Sequence, residues 1–183
     1  SRAKNFGIAK VKKELVCFPD DDSFIRDDLK DNFYFFIESM ELNNFDAVCG
    51  RVCEEHSNDT SLLPFPNKQN LVNDKNFFYT SIEFATIWKH EKLLELGGFD
   101  EAFGIGSYYG SEEGADMIIR ALNKNMKIMY YPNTITAHPN IMAPLKKTYS
   151  YALGTGALFR KHSSDQKIKT YALRIISRSF LGI

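Results

Sequence analysis

At 183 residues the chain is one domain's worth of polypeptide, long enough to bury a real core; its 44% hydrophobic and 25% charged residues are those of an ordinary globular protein. With 23 basic and 23 acidic residues the formal net charge is zero, which argues against a general nucleic-acid-binding surface. The aromatic share of 14% suits a groove for flat ligands such as sugars, but a well-filled core is the simpler reading.

Residues 2–12 alternate basic and apolar positions at helical spacing and predict a first helix. Glu14 to Phe18 is a short apolar run with the look of a buried strand, stopped by Pro19 and followed at once by Asp20-Asp21-Asp22. A second helix is expected from Ser23, with Ser23 as N-cap, Asp27 and Asp28 in the early turns, and Leu29, Phe33, Phe36, Ile37 and Met40 on its apolar face. Phe45 to Val52 predicts another buried strand, and the polar stretch 54–75, with Pro64 and Pro66, a long loop of the kind that carries function. Phe77 to Trp88 has strand character, His90 to Leu96 is a short helix, and Gly97-Gly98 a sharp turn. Glu112 to Asn123 reads as a helix with Met117, Ile118, Ala121 and Leu122 inward. Strands at 127–131 and 134–138 are expected to flank a Pro132-Asn133 turn.

From Leu145 the pattern is helical twice over. In the last helix Ile168, Tyr171, Ala172, Ile175 and Ile176 form an apolar stripe, amid six basic residues from Arg160 to Arg178 and the single acid Asp165. Such a stripe suits a helix lying on an anionic membrane surface, or one packed on its own domain. The organisation expected is a catalytic portion over 1–145 and a helical extension over 146–183. Strands alternating with helices give a layered α/β class.

Cys17, Cys49 and Cys53 show no metal-finger spacing, and Cys17 and Cys49 sit in apolar runs as small hydrophobes. No secretory signal opens the chain and no apolar run approaches the roughly 18 residues of a membrane span, so a reduced cytoplasmic setting is the expectation. The opening Ser1-Arg2-Ala3-Lys4-Asn5, without Met, reads like a piece of something longer.

Chemistry concentrates in two places. Three adjacent carboxylates, Asp20, Asp21 and Asp22, repel one another at a strand end. They suit a hard cation such as Mg²⁺ or Mn²⁺ that in turn binds phosphate oxygens, or they cap the helix expected from Ser23. A calcium loop of the EF-hand kind is excluded, because the glycine needed at its sixth position is Ile25. The second place is Leu96 to Glu101 with Glu112 to Arg120. There Glu112 and Glu113 suit the first turn of a helix, and Asp116 and Arg120, at i and i+4, suit a surface ion pair.

Taken together these segments resemble a family 2 glycosyltransferase of the GT-A fold, the group that builds bacterial polysaccharides and lipopolysaccharides. Ser1 to Ile8 is similar to the family's S-x-A-R-N-x-G-I helix. Glu14 to Asp22 resembles its strand with the DXD metal motif, and Trp88 to Glu101 its helix and G-G-F-D-E turn. Glu113 to Arg120 resembles its E-D-x-D-L-x-x-R helix, Lys127 to Pro139 its closing strands, and Tyr149 to His162 a C-terminal helix of many polysaccharide-forming members.

The resemblance implies an inverting transfer of sugar from a nucleoside diphosphate sugar to a glycan or lipid-linked acceptor, at the inner face of a bacterial membrane. It implies that Asp20 lies near the donor ribose and that Asp22 holds a divalent cation on the diphosphate, with Asp21 between them. It places the basic Arg2 and Lys4 on the donor, and His138 as a metal contact or a structural hydrogen-bonder. Glu113, Glu112 and Asp116 are then the candidate catalytic acids. The chain departs from the pattern at Gly114, where the family carries the second acid of its pair, often credited as the base. Either Glu113 takes that role, which is preferred, or Glu112-Glu113 shifts by one residue to fill it.

Lys4 stands where the family has arginine, keeping charge but losing bidentate geometry. The family's opening nucleotide-binding strands do not precede Arg2, so an N-terminally incomplete domain is expected. Dimerisation or strand exchange would then cover its exposed edge. A non-catalytic fragment that serves only as a binding or interaction module is the rival reading. A metal-dependent phosphohydrolase would want more clustered ligands than histidines at 56, 90, 138 and 162 offer.

Overall fold

A computed structural model describes residues 1–139, 144–166 and 168–173. A five-stranded mixed sheet lies at its centre, in the order β1-β4-β2-β5-β3. β1 (Leu15–Val16) pairs antiparallel with β4 (Thr86–Lys89), and β4 antiparallel with β2 (Ala47–Cys53). β2 runs parallel to β5 (Ile128–Ala137), and the two-residue β3 (Asn70–Leu71) closes the other edge antiparallel to β5.

α1 (Arg2–Ile8) packs beside α4 (His90–Glu95). α2 (Lys30–Asn43) lies on β2 and β5 through Phe36 and Met40, both fully buried, and ends at Asn44 in the left-handed conformation. This is the apolar face read from the sequence. The helix does not start at Ser23, however. Ser23 folds its hydroxyl onto the Asp20 carbonyl, Phe24 makes an antiparallel bridge with Ala137, and a 3-10 turn over Asp27–Leu29 leads into α2.

The region expected to be one strand from Phe77 to Trp88 divides in three: α3 (Phe77–Thr80), a 3-10 turn over Glu83–Ala85, and β4. Side-chain oxygens explain this, since Thr80, Ser81 and Thr86 each bond a carbonyl four residues back and hold the backbone in turns despite its β-prone composition. The two strands expected around Pro132-Asn133 are instead the single strand β5, and the proline falls at a bulge rather than a turn. Opposite β2 the register jumps from Cys49↔Tyr130 to Arg51↔Thr134, which absorbs the missing N–H of Pro132.

Within the loop 54–75 only β3 is regular. Cys17 is exposed rather than buried as its apolar run suggested, whereas Cys49 and Cys53 are buried. The aromatics fill the core, with Trp88, Tyr130, Phe36, Phe77 and Phe103 the largest fully buried side chains.

α5 (Glu113–Asn123) buries Met117, Ile118, Ile119 and Ala121, and α6 (Leu145–Lys161) joins the same core through Leu158. Residues 168–173 are helical, with Ile168, Tyr171 and Ala172 buried, so the described part of the terminal stripe packs on the domain. Ile175 and Ile176 lie outside the described residues. Among the described residues no helix is long and apolar enough to cross a membrane.

Candidate functional site

The chain turns at Asp20–Ser23 because Pro19 ends the strand path and the Ser23 amide bonds back to the Asp20 carbonyl at 3.1 Å. The Phe24–Ala137 bridge then lays this turn against the end of β5, where His138 follows. His138 is itself held by its amide bond to the Cys53 carbonyl at 3.0 Å. One ligand atom each from Asp20, Asp22 and His138 falls within 4.8 Å of the others. Asp21, the middle acid, is exposed and outside this group.

The donor set fits a cation. His138 Nδ1 lies 2.6 Å from the Pro139 carbonyl and donates to it, while Nε2 faces Asp22 Oδ1 at 3.1 Å. In a neutral ring with that tautomer, Nε2 is a lone pair facing a carboxylate. The contact needs a second ring proton or a cation between the two. Two carboxylates and an imidazole oriented by a carbonyl behind it are ligands suited to Mn²⁺.

Beside this group opens a cavity of about 480 Å³, lined among others by Lys4, Asp20, Glu83, Glu112, Glu113, Gly114 and Tyr151. Its charged floor is a three-residue cluster. Lys4 pairs with Glu83, and its Nζ donates to Glu113 Oε1 at 3.2 Å. Burial works against the Lys4 ammonium, but the two carboxylates outweigh it and raise its pKa. Burial drives the Glu83 carboxyl up to about 7, with Lys4 opposing and Glu113 and Asp20 adding to the rise. Burial also raises Asp20, which Lys4 opposes and Asp22 reinforces.

Glu112 sits before α5 with φ 72°, a strained backbone for a residue with a side chain, and Thr155 Oγ1 of α6 donates to its carboxylate at 2.6 Å. Burial raises the Glu112 carboxyl, with the Thr155 bond opposing.

Glu83 is the site residue that sequence reasoning missed. Its one signal was an acid between Ile82 and Phe84 in an otherwise apolar run. Besides Asp21, two expected residues stand elsewhere. Arg2 is exposed and pairs with Glu101 at 3.2 Å, away from the cavity lining. Asp116 is completely buried rather than on the helix surface. It lies behind the cavity wall and binds Arg120 at 2.8 Å, Lys161 at 2.6 Å and His162 at 2.8 Å. Although burial opposes ionisation, these three partners hold its carboxyl down at about 2. Arg120 reaches on to the carbonyls of Leu96 and Gly98, so this network fastens α5 and α6 to the Gly97-Gly98 turn.

No family model and no curated protein matches the chain. Solved structures do. TarS 1-349 of S. aureus in complex with UDP-GlcNAc superposes with a TM-score of 0.54 at 12% identity, over 87% of this chain and 52% of that one. Its complex with UDP gives 0.54 at 14%, over 94% and 54%, and TarS 1-349 alone 0.54 at 13%, over 95% and 54%. TarS is a glycosyltransferase. The fold is glycosyltransferase-like. The chain spans about half the length of the TarS chains it matches.

Proposed function

We propose that the chain is the catalytic, metal-binding portion of an inverting glycosyltransferase of the GT-A, family 2 type. It moves a sugar from a nucleoside diphosphate sugar to a glycan or lipid-linked acceptor in bacterial polysaccharide biosynthesis. The observation that carries the reading is the placing of Asp20, Asp22 and His138 beside a cavity whose floor holds Lys4, Glu83 and Glu113. That TarS is seen with UDP-GlcNAc and UDP supports a uridine diphosphate donor.

Asp20, Asp22 and His138 would hold the cation. Bound there, it supplies positive charge to a leaving diphosphate. Lys4 gives the cavity a second, fixed positive charge. An acceptor hydroxyl entering past Tyr151 attacks the anomeric carbon from the side opposite the diphosphate, which inverts that centre. A carboxylate of the floor cluster takes its proton. Glu113 is the acid that the sequence nominates for that role; Glu112, tied to Thr155, shapes the wall. Asp116 serves the site by holding α5 and α6 in place. A lipid-linked acceptor would be met at the inner face of the membrane, on the side of the exposed Arg160 and Lys169.

The absence of a side chain at Gly114 favours a second reading, a non-catalytic module that only binds glycan or a partner. Release of UDP from UDP-GlcNAc with Mn²⁺, abolished by chelator, separates the two. The enzyme reading expects it, and a wholly inert chain that still binds UDP supports the module.

A further inference from the structure

Two partly buried carboxylates, Glu83 and Glu113 with side chains 12% and 13% exposed, share Lys4 and pack against different elements. Glu113 packs against the turn at Gly104: a β-carbon added there would stand 2.7 Å from its Oε1, 2.8 Å from its Cδ and 2.8 Å from Ser1 Oγ. The turn at 104 therefore lies beside this carboxylate, and Lys4 takes one oxygen of each acid.

Glu83 is arranged differently. It comes from the 3-10 turn that leads into β4, between Ile82 and Phe84, and its side chain lies along the bare backbone of Gly114. A β-carbon at 114 would stand 3.0 Å from Glu83 Cβ, 3.6 Å from Cγ and 3.5 Å from Oε2. Glu83 thus lies against the volume that a side chain on the first turn of α5 would occupy, and it lines the cavity. The next residue, Phe84, stacks on the His138 ring at 5.2 Å, so one short turn ties this carboxylate to the cation-binding group.

We infer that Glu83 is the carboxylate that deprotonates the attacking hydroxyl, delivered from the turn before β4 into space that Gly114 leaves open. This rests on the proposed donor site. The hydroxyl oxygen forms its bond to the anomeric carbon as the bond from that carbon to the diphosphate oxygen breaks. The bonding pair leaves with the diphosphate, and the hydroxyl proton passes to Glu83. Lys4 holds Glu83 and Glu113 together, and Glu113 keeps Lys4 in place. With a carboxyl that titrates near neutrality, Glu83 is also matched to a proton-transfer role.

The test reads UDP release from UDP-GlcNAc with Mn²⁺, water serving as acceptor, beside calorimetric binding of UDP with Mn²⁺. It uses the wild type, Glu83→Gln, Glu83→Ala and the double variant Glu83→Ala/Gly114→Asp. Glu83→Gln is expected to slow release by about 100-fold with UDP affinity within about threefold of wild type. Truncating Glu83 makes room for a side chain at 114, so the double variant is expected to recover about tenfold over Glu83→Ala. Wild-type release from Glu83→Gln overturns the inference. So does a folded, UDP-binding double variant with no gain, or a wild type that binds UDP with Mn²⁺ yet releases none from the sugar nucleotide. Failure of the wild type to bind UDP with Mn²⁺ at all instead sinks the donor site on which the inference rests.

Discussion

The side-chain amide of Asn5 and the backbone of Phe99 exchange two hydrogen bonds, Nδ2 to the Phe99 carbonyl at 2.9 Å and the Phe99 amide to Oδ1 at 2.7 Å. The clamp joins α1 to the turn after Gly98, whose φ of 74° and whose bare α-carbon, facing Asn5 Oδ1, both exclude a side chain. It thereby fixes where Lys4, the preceding residue, enters the cavity floor. Asn5→Ala leaves both Phe99 groups without this partner and is expected to cost about 1–3 kcal/mol in urea denaturation.

Asp116 is expected to be the most costly acid to remove. Asp116→Ala takes the buried carboxylate from Arg120 and His162 and leaves Lys161 paired with Asp100 alone, a loss of about 3–5 kcal/mol at neutral pH. Its folded carboxyl lies at about 2, below the ordinary value of 3.8. The contribution is therefore complete above about pH 4 and fades as pH falls towards 2. Denaturation of wild type and variant at neutral pH and near pH 2 checks this, with the difference between them smaller in acid.

Glu83 gives the opposite slope. Its carboxyl rises from the ordinary 4.5 to about 7 on folding, burial being the main cause, against Lys4 and with Glu113 and Asp20. Between those values the folded chain keeps a proton that the unfolded chain has lost, so this group makes stability fall as pH rises through the window. Glu83→Gln is expected to flatten that part of the stability profile while leaving the acid limb set by Asp116. An unchanged profile would show that Glu83 is ionised throughout.

Much of this could be read from local pattern. The apolar face of α2 and the inward face of α5 follow helical periodicity, and the Gly97-Gly98 turn follows from glycine chemistry. The acids at Asp20 and Asp22 stood out as a run of like charges with no packing use, and the structure brings a ligand atom of each near one of His138. What pattern could not supply was set by partners distant in sequence. Ser23 lost its cap role to the Phe24–Ala137 bridge, and Asp116 left the surface because Lys161 and His162 arrive from α6. Glu83 sat unnoticed in a run whose composition favours strand, and only the close approach to Gly114 and the pairing with Lys4 give it meaning.

The donor site is tested most directly by calorimetric titration of UDP and GDP into the protein, with Mn²⁺ and with chelator, for wild type and Asp22→Ala. Removing Asp22 takes one ligand from the Asp20–Asp22–His138 group while leaving the cavity floor intact. The account predicts nucleotide binding that requires Mn²⁺ and weakens about tenfold to 100-fold in the variant. Nucleotide binding that is the same with Mn²⁺ or chelator, or the same in Asp22→Ala, would contradict it.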